Sequence, residues 1–325
     1  MQALQGLAAK ARRHGWLVAP IGLMIIAPLA LGQSGGPAPA PAPRPELQEA
    51  MNKADAGDPA PLTAMADAGA ADAQYYAGVM YIFGRGKIAK DPAKGCAYEE
   101  KASASRGDAM HLVGMCWQTG AAGAPDRAKA EAAFTRADAM GFAKSKCALG
   151  QMLMTDPGQA ERGLKLCQEA GKAGDLDAQK AVAEAYFNGG GVKQDRGEAR
   201  KWLDMAAKQN DPESMRKLGV MYAGGDGGKK DTKKALELWM RGEKAGDPLT
   251  PILVADQLFT AVTGKKPGPG KYAFKGGIPK GDLGVVEDWY KEAQQVDPRP
   301  EVKTRAEYAL KILASLRTAA DNAAR

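Results

Sequence analysis

The chain repeats itself at intervals of 36 residues, which restricts it to a stack of similar units, each closed only by its neighbours. Asn210-Asp211-Pro212 returns 36 residues later as Gly246-Asp247-Pro248, and Gly174-Asp175 lies 36 residues before the first of these. Ala71-Asp72-Ala73 returns as Gly107-Asp108-Ala109 at the same interval.

Within each unit one short segment recurs. Ala77-Gly78-Val79-Met80-Tyr81 corresponds to Val113-Gly114-Met115-Cys116-Trp117, to Leu149-Gly150-Gln151-Met152-Leu153 and to Leu218-Gly219-Val220-Met221-Tyr222. Val182-Ala183-Glu184-Ala185-Tyr186 is the same segment with Ala for Gly. Its apolar ends are four residues apart and share one face of a helix. A mid-helix glycine costs about 1 kcal/mol relative to alanine, so its recurrence requires a gain. Close approach of a neighbouring backbone supplies one.

A second aromatic follows at a steady distance. Tyr81 leads to Tyr98, Trp117 to Phe134 and Tyr222 to Trp239, each 17 residues on, and Tyr186 leads to Trp202 after 16. Glycine-rich turns lie between them, followed by Asp91, Asp126, Asp195 and Asp231. Aspartate at such a place predicts an N-cap, because its carboxylate accepts from the free amides of the next helix. Each unit therefore reads as helix, glycine turn, capped helix and short junction. Long Val/Ile/Thr runs are absent and aromatics make up 6% of the chain, so little or no β-structure is expected.

The pattern A-x-x-x-L-G-x-x-Y, G-x-G-V, D, K-A-x-x-W and A-A-x-x-G resembles the Sel-1-like repeat, a tetratricopeptide-type helical unit. Its best copy is Ala178 to Asn210, with Gly189-Gly190-Gly191-Val192, Asp195, Glu198-Ala199, Trp202 and Ala206-Ala207. The resemblance implies an all-α fold: a right-handed α-solenoid of antiparallel helix pairs with a concave face that binds proteins or peptides. It implies a scaffold or adaptor with no catalytic residues and no cofactor. Repeats are expected over 71–296, after an N-terminal cap or truncated repeat at 46–70 and before a capping helix at 297–325. The unit from Phe142 to Gly174 departs from the pattern, with a shortened turn, Thr155-Asp156-Pro157-Gly158.

Residues 1–32 combine Lys10, Arg12 and Arg13 with an apolar run from Trp16 to Leu31. A basic start, a short apolar middle and small residues at Ala30 and Gly32 predict an export signal cleaved near Gly32. The other reading is an uncleaved membrane anchor, although the run falls short of the roughly 20 residues that span a bilayer. A Pro-Ala linker occupies 33–45 and acts as a semi-extended spacer. Either reading places the folded part outside the inner membrane: periplasmic, anchored close to the membrane, or secreted. The net charge is +7, three units of which lie within residues 1–32. The remaining basic residues are interspersed with acidic ones, which argues against the clustered stripe of a nucleic-acid binder.

Four cysteines, Cys96, Cys116, Cys147 and Cys167, form an even set in an exported chain. Cys147 and Cys167 flank the turn near residue 157 symmetrically, and Cys96 and Cys116 flank the junction near 106–107. The helical layout therefore pairs Cys96 with Cys116 and Cys147 with Cys167; four buried thiols are the alternative.

Catalytic signals are sparse. The two histidines are His14, in the signal, and His111, read as satisfied or solvent-facing. No metal site is expected, because no Cys-x-x-Cys occurs. Ser214-Met215-Arg216-Lys217 fits S-x-x-K without its companion motifs, so a β-lactamase-like hydrolase is only an outlying alternative. The most individual segment is an insertion, 263–284, carrying Lys265, Lys266, Lys271, Lys275 and Lys280 with Tyr272 and Phe274 among them. It is a candidate contact for a protein or peptide, or for an anionic ligand such as envelope glycan or lipid headgroups. A flexible solvated loop is the other reading.

Overall fold

The computed structural model describes residues 44–121, 123–267 and 281–322. The export segment, nearly all of the linker, and Lys271, Tyr272, Phe274, Lys275 and Lys280 lie outside these residues. The described chain holds fifteen α-helices and no strand. It divides into two compact units, the first ending at Ala170 and the second beginning at Gly171.

The first unit opens with α1 (Pro45–Ala56) and α2 (Ala60–Asp67), a short pair that packs on the first full hairpin, α3 (Ala71–Phe83) and α4 (Pro92–Ala102). Pro45, the last residue of the expected linker, sits in the first turn of α1, where its missing amide costs nothing. Next come α5 (Gly107–Thr119) with α6 (Arg127–Ala139), and α7 (Lys144–Met154) with α8 (Ala160–Lys172). The second unit holds α9 (Leu176–Asn188) with α10 (Arg196–Lys208), α11 (Pro212–Gly224) with α12 (Thr232–Lys244), and then α13 (Thr250–Thr263), α14 (Gly281–Val296) and α15 (Pro300–Asn322). Because α14 begins at Gly281, the last four residues of the expected insertion belong to a helix.

The four aspartates do cap their helices. Asp91 accepts from the Lys94 amide at 3.1 Å, Asp126 from Lys129 at 3.0 Å, Asp195 from Glu198 at 2.9 Å and Asp231 from Lys234 at 2.9 Å. Each also uses its own backbone N–H, which donates to the carbonyl of an aromatic in the last turn of the preceding helix: Tyr81, Trp117, Tyr186 and Tyr222, at 2.8–2.9 Å. One residue thus starts the second helix and fixes where the first one stops.

Fully buried alanines, including Ala73, Ala109, Ala130, Ala178 and Ala235, line the helix contacts and let the backbones approach closely. The C-terminal core gathers Phe259, Leu283 and Tyr290, and α15 lays Val302, Ala306, Ala309 and Leu313 across it. That helical spacing of apolar residues closes the stack with one face, leaving the other to solvent.

Candidate functional site

The hairpins interlock through the mid-helix glycines. A Cβ at Gly114 would stand 2.6 Å from Phe134 Cδ1, and one at Gly219 would stand 2.3 Å from Trp239 Nε1. The aromatic twenty residues on packs against bare backbone, and the Trp239 indole N–H donates to the Arg216 carbonyl at 3.1 Å. In the α9–α10 hairpin the corresponding residue is Ala183, and the residue twenty on is Leu203. Trp202 is displaced by one position and turns to Gly171, whose Cβ would lie 2.8 Å from its ring. The 16-residue spacing of that copy thus accompanies its Ala-for-Gly exchange.

Lysines stack on the aromatics of the first helices. Lys94 Nζ lies 4.1 Å from the Tyr81 ring centre and donates to its hydroxyl at 2.9 Å. Lys129 lies 3.9 Å from the Trp117 ring, and Lys234 lies 4.4 Å from the Tyr222 ring with a 2.5 Å bond to the hydroxyl. A lysine in the first helical turn opposes the helix dipole; its contact with the aromatic offsets that cost. A glutamine near the start of two first helices adds a further backbone contact. Gln74 donates to the Ala66 carbonyl at 3.0 Å, and Gln179 to the Gly171 carbonyl at 2.9 Å.

In the α3–α4 hairpin a carboxylic acid occupies the glycine contact. A Cβ at Gly78 would collide with Glu99, which is fully buried and has no hydrogen-bond partner for either oxygen. Burial, with Asp108 adding to it, pushes the Glu99 carboxyl up to about 9. His111 is satisfied: its Nδ1 is 3.0 Å from Ser145 Oγ, Phe134 and Phe142 flank the ring, and burial lowers its pKa. Disulfides join Cys96 to Cys116, between α4 and α5, and Cys147 to Cys167, across α7 and α8.

The second unit contains a cavity of about 360 Å3 where α9 meets α11, within the roughly 300–1,000 Å3 range of ligand pockets. Ala183, Phe187, Leu203, Val220 and Met221 give it an apolar lining. Val220 is 46% exposed, on a helix that buries Met215, Leu218 and Met221. Charged side chains surround this lining. Glu213 bonds to both Lys180 and Lys217 at 2.8 Å, and the two ammonium groups hold its carboxyl down to about 2. Asp211 adds a contact to Lys180 at 3.7 Å, and Arg216 is held by the buried Asp247 at 2.8 Å.

Ser214 and Lys217 both line this cavity, but they make no catalytic arrangement: Lys217 is engaged by Glu213, and the buried Ser214 hydroxyl has no hydrogen-bond partner. Of the basic insertion, Lys265 and Lys266 are described. The Lys265 amide and carbonyl both bond to the Thr263 hydroxyl, at 3.2 and 2.9 Å. Among the described residues no group of His, Cys, Asp and Glu could hold a metal ion, and no helix is long and apolar enough to cross a membrane.

Capped, glycine-interlocked hairpins repeated in series define a helical-repeat scaffold. Residues 71–105, 176–211 and 212–247 match the Sel1 repeat family, and the chain is a Sel1-like repeat protein. Sel1 repeat proteins generally mediate protein–protein interaction. The fold is similar to that of a Sel1 repeat protein from Oxalobacter formigenes, with TM-score 0.51 and 21% identity over 80% of this chain and 70% of that one. It is also similar to c5321, a protective antigen present in uropathogenic Escherichia coli strains with an SLR fold. There the TM-score is 0.52 and the identity 20%, over 83% of this chain and 60% of that one. At such identity the likeness is one of fold. No curated protein matches the sequence.

Proposed function

We propose that this chain is an exported scaffold that holds a protein partner by a peptide segment laid across α9 and α11. The observation that carries the reading is the cavity between those helices, whose apolar lining includes the exposed Val220. A hairpin stack buries each unit against the next, and a cavity with a mainly apolar lining that opens to solvent at Val220 is the concave surface an outside group can fill. Neighbouring first helices supply the walls, and salt bridges fix the rim before binding, which lowers the ordering cost of association.

Export is supported by the basic and apolar start of the chain and by two buried disulfides, which persist in oxidising compartments. The role is binding rather than catalysis: Lys217 is spent on Glu213, and the cavity gathers no base beside a nucleophile.

Two measurements test this. Thiol-blocking of intact cells should find all four cysteines oxidised; reduced cysteines in freshly lysed cells contradict export. Affinity capture with the wild-type chain should retain a partner that Val220→Asp loses while keeping its helical circular dichroism. Equal capture by both proteins contradicts the groove.

A further inference from the structure

The charges around the α9–α11 cavity are not evenly matched. Each cation in its lining already has a carboxylate: Lys180 and Lys217 share Glu213, and Arg216 holds Asp247. Asp226, the acid at the far end, is paired with Arg196 at 3.4 Å. Glu184 differs. It lines the cavity from α9, its side chain is exposed, and it has no hydrogen bond or ion pair among the described residues. Counting Asp211 on Lys180 as well, the four cations face five carboxylates, and the surplus negative charge rests on Glu184.

From this we infer the chemistry of the occupant: a peptide segment with an aliphatic or aromatic anchor next to a lysine or arginine. The inference rests on the groove reading given above. The anchor would enter beside Val220, Phe187 and Met221, where burial of apolar surface supplies the affinity. The adjacent cation would meet Glu184, a carboxylate that gives up no existing partner to bind it. An acidic segment is disfavoured even though the chain as a whole is basic, because the nearby lysines and arginine are already neutralised at 2.8 Å.

The test is selection of phage-displayed random dodecapeptides on the oxidised full-length chain, followed by fluorescence anisotropy of the enriched peptides. The expected winners carry an apolar residue adjacent to Lys or Arg. Their affinity should fall about tenfold with Val220→Asp. It should fall about threefold with Glu184→Gln and further with Glu184→Lys. Winners that need Val220 but carry Asp or Glu beside the anchor, or that bind Glu184→Lys as well as wild type, overturn this inference and leave the groove standing. Winners indifferent to Val220→Asp, no enrichment at all, or a chain that fills the groove with a second copy, seen as dimerisation abolished by Val220→Asp, overturn both.

Discussion

Gly219 and Trp239 are in contact through the absence of a side chain: a Cβ on residue 219 would stand 2.3 Å from the indole nitrogen, far inside contact distance. Twenty residues separate them in sequence, and the pairing holds α11 against α12. Gly219→Ala should therefore destabilise the chain despite its better helix propensity, by roughly 1–3 kcal/mol as overpacking does. The reverse exchange at the matching place, Ala183→Gly, should cost only about 1 kcal/mol, as a helix-propensity effect. Urea midpoints of the two variants separate these outcomes, and a stabilised Gly219→Ala protein would show that the indole can move away.

The capping aspartates predict a second set of effects. Asp231→Ala should cost about 1 kcal/mol by removing the cap. Lys234→Met should cost less, on the order of 0.5 kcal/mol, because it loses the contact with Tyr222 and also relieves the clash with the helix dipole. Thermal melts of both single variants and the double variant measure the two contributions and their coupling.

Much of this architecture is legible in the sequence, for a physical reason: glycines, caps and aromatics act over a few residues or over one fixed hairpin length. The 36-residue interval, Asp91, Asp126, Asp195 and Asp231 as caps, and Gly114 and Gly219 as contact points all follow from local rules. Other features depend on contacts the one-dimensional pattern does not record. Nothing in the sequence marks Gln179, whose partner is a carbonyl eight residues earlier, or Lys94, whose role depends on Tyr81 lying across the turn. The cavity joins Glu184 and Val220, 36 residues apart, and nothing in either residue alone marks it. One signal was available: Val220 is an apolar residue on the solvent side of an otherwise regular helix. The lysine of the S-x-x-K match is paired with Glu213, a contact the motif itself does not announce.

Glu99 predicts an unusual pH dependence. Its folded pKa of about 9 stands above the ordinary 4.5, so the folded chain keeps a proton that the unfolded chain releases. Below about pH 4.5 both states are protonated and no penalty applies. As pH rises from there toward 9, stability falls, reaching a penalty of about 3 kcal/mol at pH 7. Glu99→Gln should abolish that slope, matching wild type at pH 4 and exceeding it at pH 8. Urea midpoints at pH 4, 6 and 8 check this, and parallel curves for the two proteins would contradict it.

The disulfides predict a redox dependence confined to the first unit. Each closes a loop of 20 residues and should contribute roughly 3 kcal/mol. Replacing Cys96 and Cys116 together by serine should lower the melting temperature and raise amide exchange in α4 and α5. The capacity of the α9–α11 groove to bind a selected peptide should persist, because that groove belongs to the other unit.

Position-resolved crosslinking in intact producing cells tests the central claim most directly. A photoreactive amino acid at residue 220 should yield a discrete covalent adduct with a partner protein, whereas the same probe at residue 233, on the exposed side of α12, should yield none. Adducts at 233 and not at 220, or identical adduct patterns at both, would contradict a groove across α9 and α11.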